Sequence, residues 1–145
     1  MISAYMTEDH RRCDGLFADI ERGLVKGEQS AGTARLDSFI AAMEQHFTME
    51  EEVLFPAFEE QTGMSMGPTA VMRHEHAQMR QLFGQMREAL AQGDADSYLG
   101  IAETLLMLMQ QHNIKEEQVL YPMTDRTLAA QSDEVMRRMQ QLGDN

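Results

Sequence analysis

The sequence predicts an all-α fold, an antiparallel up-down-up-down four-helix bundle followed by a short C-terminal helix, and three observations predict it. Apolar residues recur in four long stripes at helical spacing. Only three prolines, Pro56, Pro68 and Pro122, occur in 145 residues, and the glycines fall mostly in or beside the breaks between stripes. A shift of 66 residues lays the first half of the chain over the second, so the four stripes form two related pairs.

The first helix is expected from about Ser3 to Lys26. Its stripe Met6, His10, Cys13, Phe17, Ile20, Leu24 steps 4-3-4-3-4, the spacing of an inward seam. The stretch Gly27-Glu28-Gln29-Ser30-Ala31-Gly32 reads as a turn. A second helix follows to about Glu60 on the seam Leu36, Phe39, Met43, His46, Glu50, Val53. Pro56 should end or kink its last turns, because proline lacks a donor and crowds an upstream carbonyl. Residues 62–68 connect to the third helix, with Pro68 suited to its first position. That helix runs to about Gln92 on Met72, His76, Met79, Phe83, Met86, Leu90. After Gly93-Asp94-Ala95-Asp96 the fourth should reach about Pro122 on Ala102, Leu105, Met109, His112, Glu116, Val119. A tail helix over about 132–142 carries Val135, Met136, Met139 and Leu142 on one side. Short connections make consecutive helices antiparallel neighbours. The chain thus reads as a single domain over residues 1–145, with the bundle at about 3–123. Its 14 methionines imply an adaptable core.

Composition excludes some functions. A net charge of −12 and a pI near 4.7 argue against nucleic acid and anionic membrane surfaces, which both require basic patches. No apolar run is long enough to span a bilayer. The N-terminal residues show no basic region followed by an apolar one, and the single cysteine, Cys13, forms no internal disulfide. A cytoplasmic location is expected.

The repeat carries chemistry as well as packing. His46–Pro56 reads HFTMEEEVLFP and His112–Pro122 reads HNIKEEQVLYP, while Met6-Thr7-Glu8-Asp9-His10 maps onto Met72-Arg73-His74-Glu75-His76. Six polar residues therefore lie on inward seams: His10, His46, Glu50, His76, His112 and Glu116. His10 precedes Gly27 by 17 residues, and His46 and Glu50 follow Gly32 by 14 and 18. At ~1.5 Å rise per residue these groups reach one level, and the shift carries the relation into the second half. Buried without partners they would cost about 1–3 kcal/mol per unsatisfied group. His46/Glu50 and His112/Glu116 each place an imidazole and a carboxylate one turn apart on one face, as a two-pronged chelate.

Four imidazoles and two carboxylates suit two metal ions better than one. If both glutamates bridge, each ion receives two histidines and two carboxylate oxygens, leaving positions open for an exogenous ligand. Nitrogen and oxygen donors without thiolate favour iron or manganese, with zinc chemically possible. No side chain stands out as a general base or nucleophile, so no catalytic residue is assigned.

These motifs, from about Met6 to Pro122, resemble the hemerythrin-like, or HHE cation-binding, family. The resemblance implies a four-helix bundle holding an oxo- or hydroxo-bridged pair of iron ions that binds O2 and, in some members, NO or peroxide. It implies that His10 and His46 ligate one iron, that His76 and His112 ligate the other, and that Glu50 and Glu116 bridge. Oxygen-carrying hemerythrins place a further histidine four residues before the one matching His76, where this chain has Met72. The six-ligand set is similar to bacterial di-iron proteins implicated in nitric oxide handling and iron–sulfur repair. The expected function is accordingly binding or sensing of O2 or NO, or metal-based reduction of NO or peroxide. The alternatives are iron donation to iron–sulfur clusters with a partner protein, or a redox-silent structural cation site. A monomer or homodimer, with a possible redox partner, fits each of these.

Flanking residues have expectations of their own. Glu51 and Glu117 should be solvated or should support the ligands. Asp9 and Glu75 should face outward. His74 lies about 200° round the helix from His76 and should be exposed. Asp14, whose repeat mate is Arg80, should lie outside the ligand set. Cys13 reads as a buried thiol, and Tyr5 as a packing residue near the bundle end. Imidazole N–H acceptors must exist, though the sequence does not single them out.

Overall fold

The computed structural model describes the backbone of residues 1–25 and 29–143 and the side chains of 1–24 and 32–143. It is an all-α bundle. Helix α1 spans Ile2–Val25, α2 spans Gln29–Met49 and runs through one π turn, Glu50–Leu54, into α3 at Phe55–Thr62. Helix α4 spans Pro68–Ala91. Helix α5, Ala95–Lys115, continues through a second π turn, Glu116–Leu120, into α6 at Tyr121–Thr127. A short 3-10 turn at Ala129–Gln131 leads to the tail helix α7, Ser132–Gly143.

Contacts run in opposite senses along neighbouring helices. Tyr5 meets Met49, Asp9 meets His46 and Arg12 meets Gln45 across α1 and α2. Arg80 meets Glu44 and Arg87 meets Asp37 across α4 and α2. Ser3 meets Asp125 and His10 meets Glu117 across α1 and the α5–α6 rod. Pro68 opens α4 at its first position, as expected. Gly63 and Gly93 take positive φ of 73° and 70° at the ends of α3 and α4, a conformation open to glycine at little cost. The Asp94 carboxylate accepts from the Ser97 backbone N–H at 3.0 Å and caps α5.

Three boundaries depart from expectation. The turn expected at Gly27–Gly32 is shorter, because α2 already begins at Gln29; Lys26, Gly27 and Glu28 lie outside the described residues. Pro122 does not end its helix, and the rod holding Pro56 runs past that proline to Thr62, close to its expected end at about Glu60. Each proline follows a π turn closed by an i→i+5 bond, from the Phe55 N–H to the Glu50 carbonyl and from the Tyr121 N–H to the Glu116 carbonyl. Widening the turn accommodates the proline ring and its missing donor, so the fourth helical rod continues to Thr127. The third departure is Val119, expected on the inward seam but 54% exposed, because the π turn rotates it away.

Its repeat mate Val53 is 4% exposed, and the reason is α7. The tail helix packs on α2 and the first π turn, where Val135 and Met139 join Val53, Leu54 and Phe58. The Gln45 amide donates to the Gly143 carbonyl and fixes its far end. The second π turn has no such cover among the described residues. Two apolar clusters result. One holds Ile20, Leu36, Phe39, Phe83, Met86, Tyr98 and Leu105; the other holds Met6, Leu54, Phe55, Met72, Leu120 and Met139. The polar residues of the seams lie between them. No described helix is long and apolar enough to cross a membrane.

Candidate metal centre

All six polar seam residues are buried at one level: His10, His46 and His112 are 2–4% exposed, and Glu50, His76 and Glu116 are fully enclosed. They form two groups able to hold a cation. Glu50, His76, His112 and Glu116 bring ligand atoms within 4.8 Å of one another, and His10, His46 and Glu116 do the same. Glu116 belongs to both. Imidazoles pair at a tilt in each group, with ring centroids 4.6 Å apart for His10 and His46 and 5.1 Å for His76 and His112.

Every imidazole is aimed by a carboxylate on its Nδ1. His10 Nδ1 lies 2.6 Å from Glu117, His46 Nδ1 2.8 Å from Asp9, His76 Nδ1 2.7 Å from Glu51, and His112 Nδ1 2.8 Å from Glu75. This fixes the tautomer with the proton on Nδ1, leaves Nε2 free to coordinate, and raises the basicity of the ring. The 66-residue shift maps Asp9 onto Glu75 and Glu51 onto Glu117, so these supporting groups repeat as the ligands do. The expectation that Asp9 and Glu75 face outward is thus corrected. Each turns in toward the neighbouring helix, where a histidine outcompetes water for its oxygen. Glu51 and Glu117 are visible in the sequence as acidic neighbours of Glu50 and Glu116 that keep their acidity under the shift.

The outer carboxylates are tied down in turn. Arg12 holds Asp9 at 2.8 Å, Arg80 holds Glu51 at 3.0 Å, and Lys115 reaches Glu75. Burial works against ionised Asp9 and Glu51, but His46 with Arg12, and His76 with Arg80, overcome it and hold each carboxyl at about 2. For Glu75 the His112 hydrogen bond is the leading cause, and it too sits at about 2. Burial likewise opposes charge on His112, yet Glu116 and Glu75 raise it to about 10. His46 and His76 are raised for the same kind of reason, by Glu50 with Asp9 and by Glu50 with Glu51. The pocket holds imidazoles that attract positive charge, and a metal ion would take the place of those protons.

Four buried atoms have no hydrogen-bond partner among the described residues: Glu50 Oε1, His76 Nε2, His112 Nε2 and Glu116 Oε2. His76 Nε2 is 3.0 Å from Glu50 Oε1 without hydrogen-bond geometry. At about 1–3 kcal/mol each, such orphans would consume much of a typical stability of about 5–15 kcal/mol. The donor set and the unmet demand both fit a cation.

The hemerythrin HHE cation-binding domain profile matches residues 1–124 of the 145. The chain belongs to the hemerythrin HHE cation-binding family. No curated protein and no solved structure matches it. A metal cation site in this HHE domain is therefore indicated by family and geometry together.

Other residues of the HHE domain fall around the centre. His74 is exposed, as expected, and Asp14 is exposed outside both groups. Cys13 is buried, and that burial pushes its thiol up to about 11, which makes it an unreactive core residue. Tyr5 packs against the cluster beneath α7, its hydroxyl 3.8 Å from Met49 Sδ. Met72, where oxygen-carrying hemerythrins place a further histidine, is 3% exposed in the same apolar cluster. Phe47 stacks on His76 at 3.9 Å between centroids.

One residue of the site was not anticipated. Tyr121 is fully buried, and its hydroxyl lies 2.8 Å from Glu50 Oε2 and 2.9 Å from Glu116 Oε1. Burial, together with the Glu116 and Glu50 carboxylates, holds this hydroxyl well above its ordinary value, so without a cation it is a neutral donor. In an unbroken α-helix, five residues after Glu116 is about 140° round the axis, away from the site. The π turn brings Tyr121 back.

Proposed function

We propose that the chain is a non-haem di-iron protein that binds or senses O2 or NO, or reduces NO or peroxide at an open iron position. His10 and His46 would hold one ion, His76 and His112 the other, and Glu50 and Glu116 would bridge. The observation that carries this reading is the convergence of four unpartnered buried ligand atoms between carboxylate-aimed imidazoles. Iron bound there supplies redox chemistry and an exchangeable coordination position.

The chain's own residues do the rest. Asp9, Glu51, Glu75 and Glu117 orient the imidazoles and keep their protons off the ligating nitrogens. Phe47 and Phe55, both buried, stack on the His76 side and exclude bulk water, so only small ligands are admitted. A surface cleft lined by Asp14, Phe17, Met109, Asn113 and Glu117 runs beside the carboxylate that aims His10. A reducing, cytoplasmic setting and a redox partner supplying electrons complete the proposal.

The test is metal content with a visible spectrum after aerobic purification, then with NO or azide. About two irons per chain, with charge-transfer bands that shift on adding azide, are expected. One zinc and no iron would overturn the di-iron reading in favour of a structural cation. Iron that leaves readily to an apo iron–sulfur protein, with no ligand-dependent band, would favour iron donation.

A further inference from the structure

The two halves of the centre differ chemically at one pair of positions. Under the 66-residue shift Tyr121 falls on Phe55. The phenyl ring of Phe55 offers no donor and stacks 5.9 Å from His76. The phenol of Tyr121 reaches the other half, where its oxygen lies 3.2 Å from both His10 Nε2 and His46 Nε2 besides its two carboxylate neighbours.

Hydrogen bonding alone does not explain that position. With Nδ1 protons committed to Glu117 and Asp9, His10 Nε2 and His46 Nε2 present lone pairs. The Tyr121 oxygen therefore faces four acceptors with a single hydrogen. A cation resolves the conflict, because all five atoms then become donors to it. The spacing agrees. Six-coordinate ions with ~2.1 Å bonds place adjacent ligand atoms ~3.0 Å and opposite ones ~4.2 Å apart. Tyr121 Oη stands 2.8–3.2 Å from each of its four neighbours, His10 Nε2 is 2.9 Å from Glu116 Oε1, and His46 Nε2 is 4.0 Å from that same oxygen. The four atoms left without partners all belong to groups that face the half where Phe55 replaces the phenol, or to the bridging glutamates.

We propose that Tyr121 Oη is itself a ligand of the ion held by His10 and His46, which makes the two metal positions inequivalent and leaves the exchangeable position to the His76/His112 ion. This rests on the di-metal reading above. On coordination the Oη–H bond is replaced by an Oη–metal bond, and the proton leaves to solvent.

Ferric iron is the probe. Iron per chain, visible absorption and resonance Raman are measured on the wild type, Tyr121→Phe and Tyr5→Phe. The wild type and Tyr5→Phe should show a phenolate-to-iron charge-transfer band with enhanced tyrosine ring modes, and Tyr121→Phe should lose both completely. Ring-deuterated tyrosine should shift those modes in the wild type, an assignment that holds even if Tyr121→Phe fails to fold. Loaded wild-type protein without tyrosine modes, or modes persisting in Tyr121→Phe, overturns the assignment while leaving the metal centre intact. A chain that takes up no iron overturns both.

Discussion

Replacing Glu51 by alanine isolates the contribution of a carboxylate that belongs to neither candidate ligand group. Glu51 accepts from His76 Nδ1 at 2.7 Å and pairs with Arg80 at 3.0 Å, while His76 itself is fully buried. Arg80 keeps Glu44 at 2.7 Å and its place 5.1 Å over the Phe47 ring, so the damage concentrates on the imidazole. In the metal-free protein the stranded Nδ1–H should cost about 1–3 kcal/mol, a shift of several degrees in Tm. In the metal-bound protein His76 loses its fixed tautomer, and affinity should fall about 10–100-fold, equivalent to about 1.4–2.7 kcal/mol. Glu51→Gln, which keeps an acceptor but not the charge, should fall between. The adjacent exposed Glu52→Ala serves as control and should stay within about 0.5 kcal/mol. Competition against a chromogenic chelator gives the affinity, and thermal melting of the chelator-treated protein gives the stability. If Glu51→Ala binds metal like Glu52→Ala, the argument that carboxylates prepare the imidazoles fails.

Glu116→Ala should abolish metal loading, since Glu116 serves both candidate groups, whereas the exposed His74→Ala should load normally; metal analysis of the purified variants decides between them. Val53→Asp should cost about 3 kcal/mol or more beneath α7, while Val119→Asp at the equivalent exposed position should stay within about 0.5 kcal/mol; equal melting temperatures would show that the tail helix does not seal the first π turn. Asp9, Glu51 and Glu75 are each held at about 2 in the fold against ordinary values of 3.8 for Asp and 4.5 for Glu. Lowered folded-state values stabilise the fold above the ordinary range and lose that contribution as pH falls through the folded value. Urea titrations of metal-free protein should therefore show stability falling from about pH 5 toward pH 2, and a flat profile over that interval would refute the assignment.

The bundle and its six central polar residues were legible because both depend on spacing. A seam stepping by three and four residues reports which face is buried, and a repeat that preserves His10 as His76 and Glu50 as Glu116 reports which buried residues share a role. Connection lengths then set the levels at which antiparallel helices meet. The supporting carboxylates were half legible. Glu51 and Glu117 are visibly acidic neighbours of the cluster, but that Asp9 turns to His46, and Glu75 to His112, depends on which helices lie side by side.

Phase after the π turns lay beyond the sequence. Reading Glu116 onward as ordinary α-helix places Val119 inward and Tyr121 outward, and the structure has Val119 exposed and Tyr121 enclosed. The cause is one i→i+5 bond beside a proline, a local change of winding that no hydrophobic period announces. The tail helix is the same kind of case. Its apolar side, Val135 and Met139, was plain, but either half of a near-symmetric bundle could have received it. Only packing against α2 and the first π turn decided that Val53 is covered and Val119 is not. The sequence by itself determined which residues line the inward seams up to the π turns and which of them carry metal-ligand chemistry, because periodicity and residue chemistry are local. How those residues are aimed, and where the two halves cease to be equivalent, only the tertiary structure decided, because both follow from contacts between segments distant in the chain.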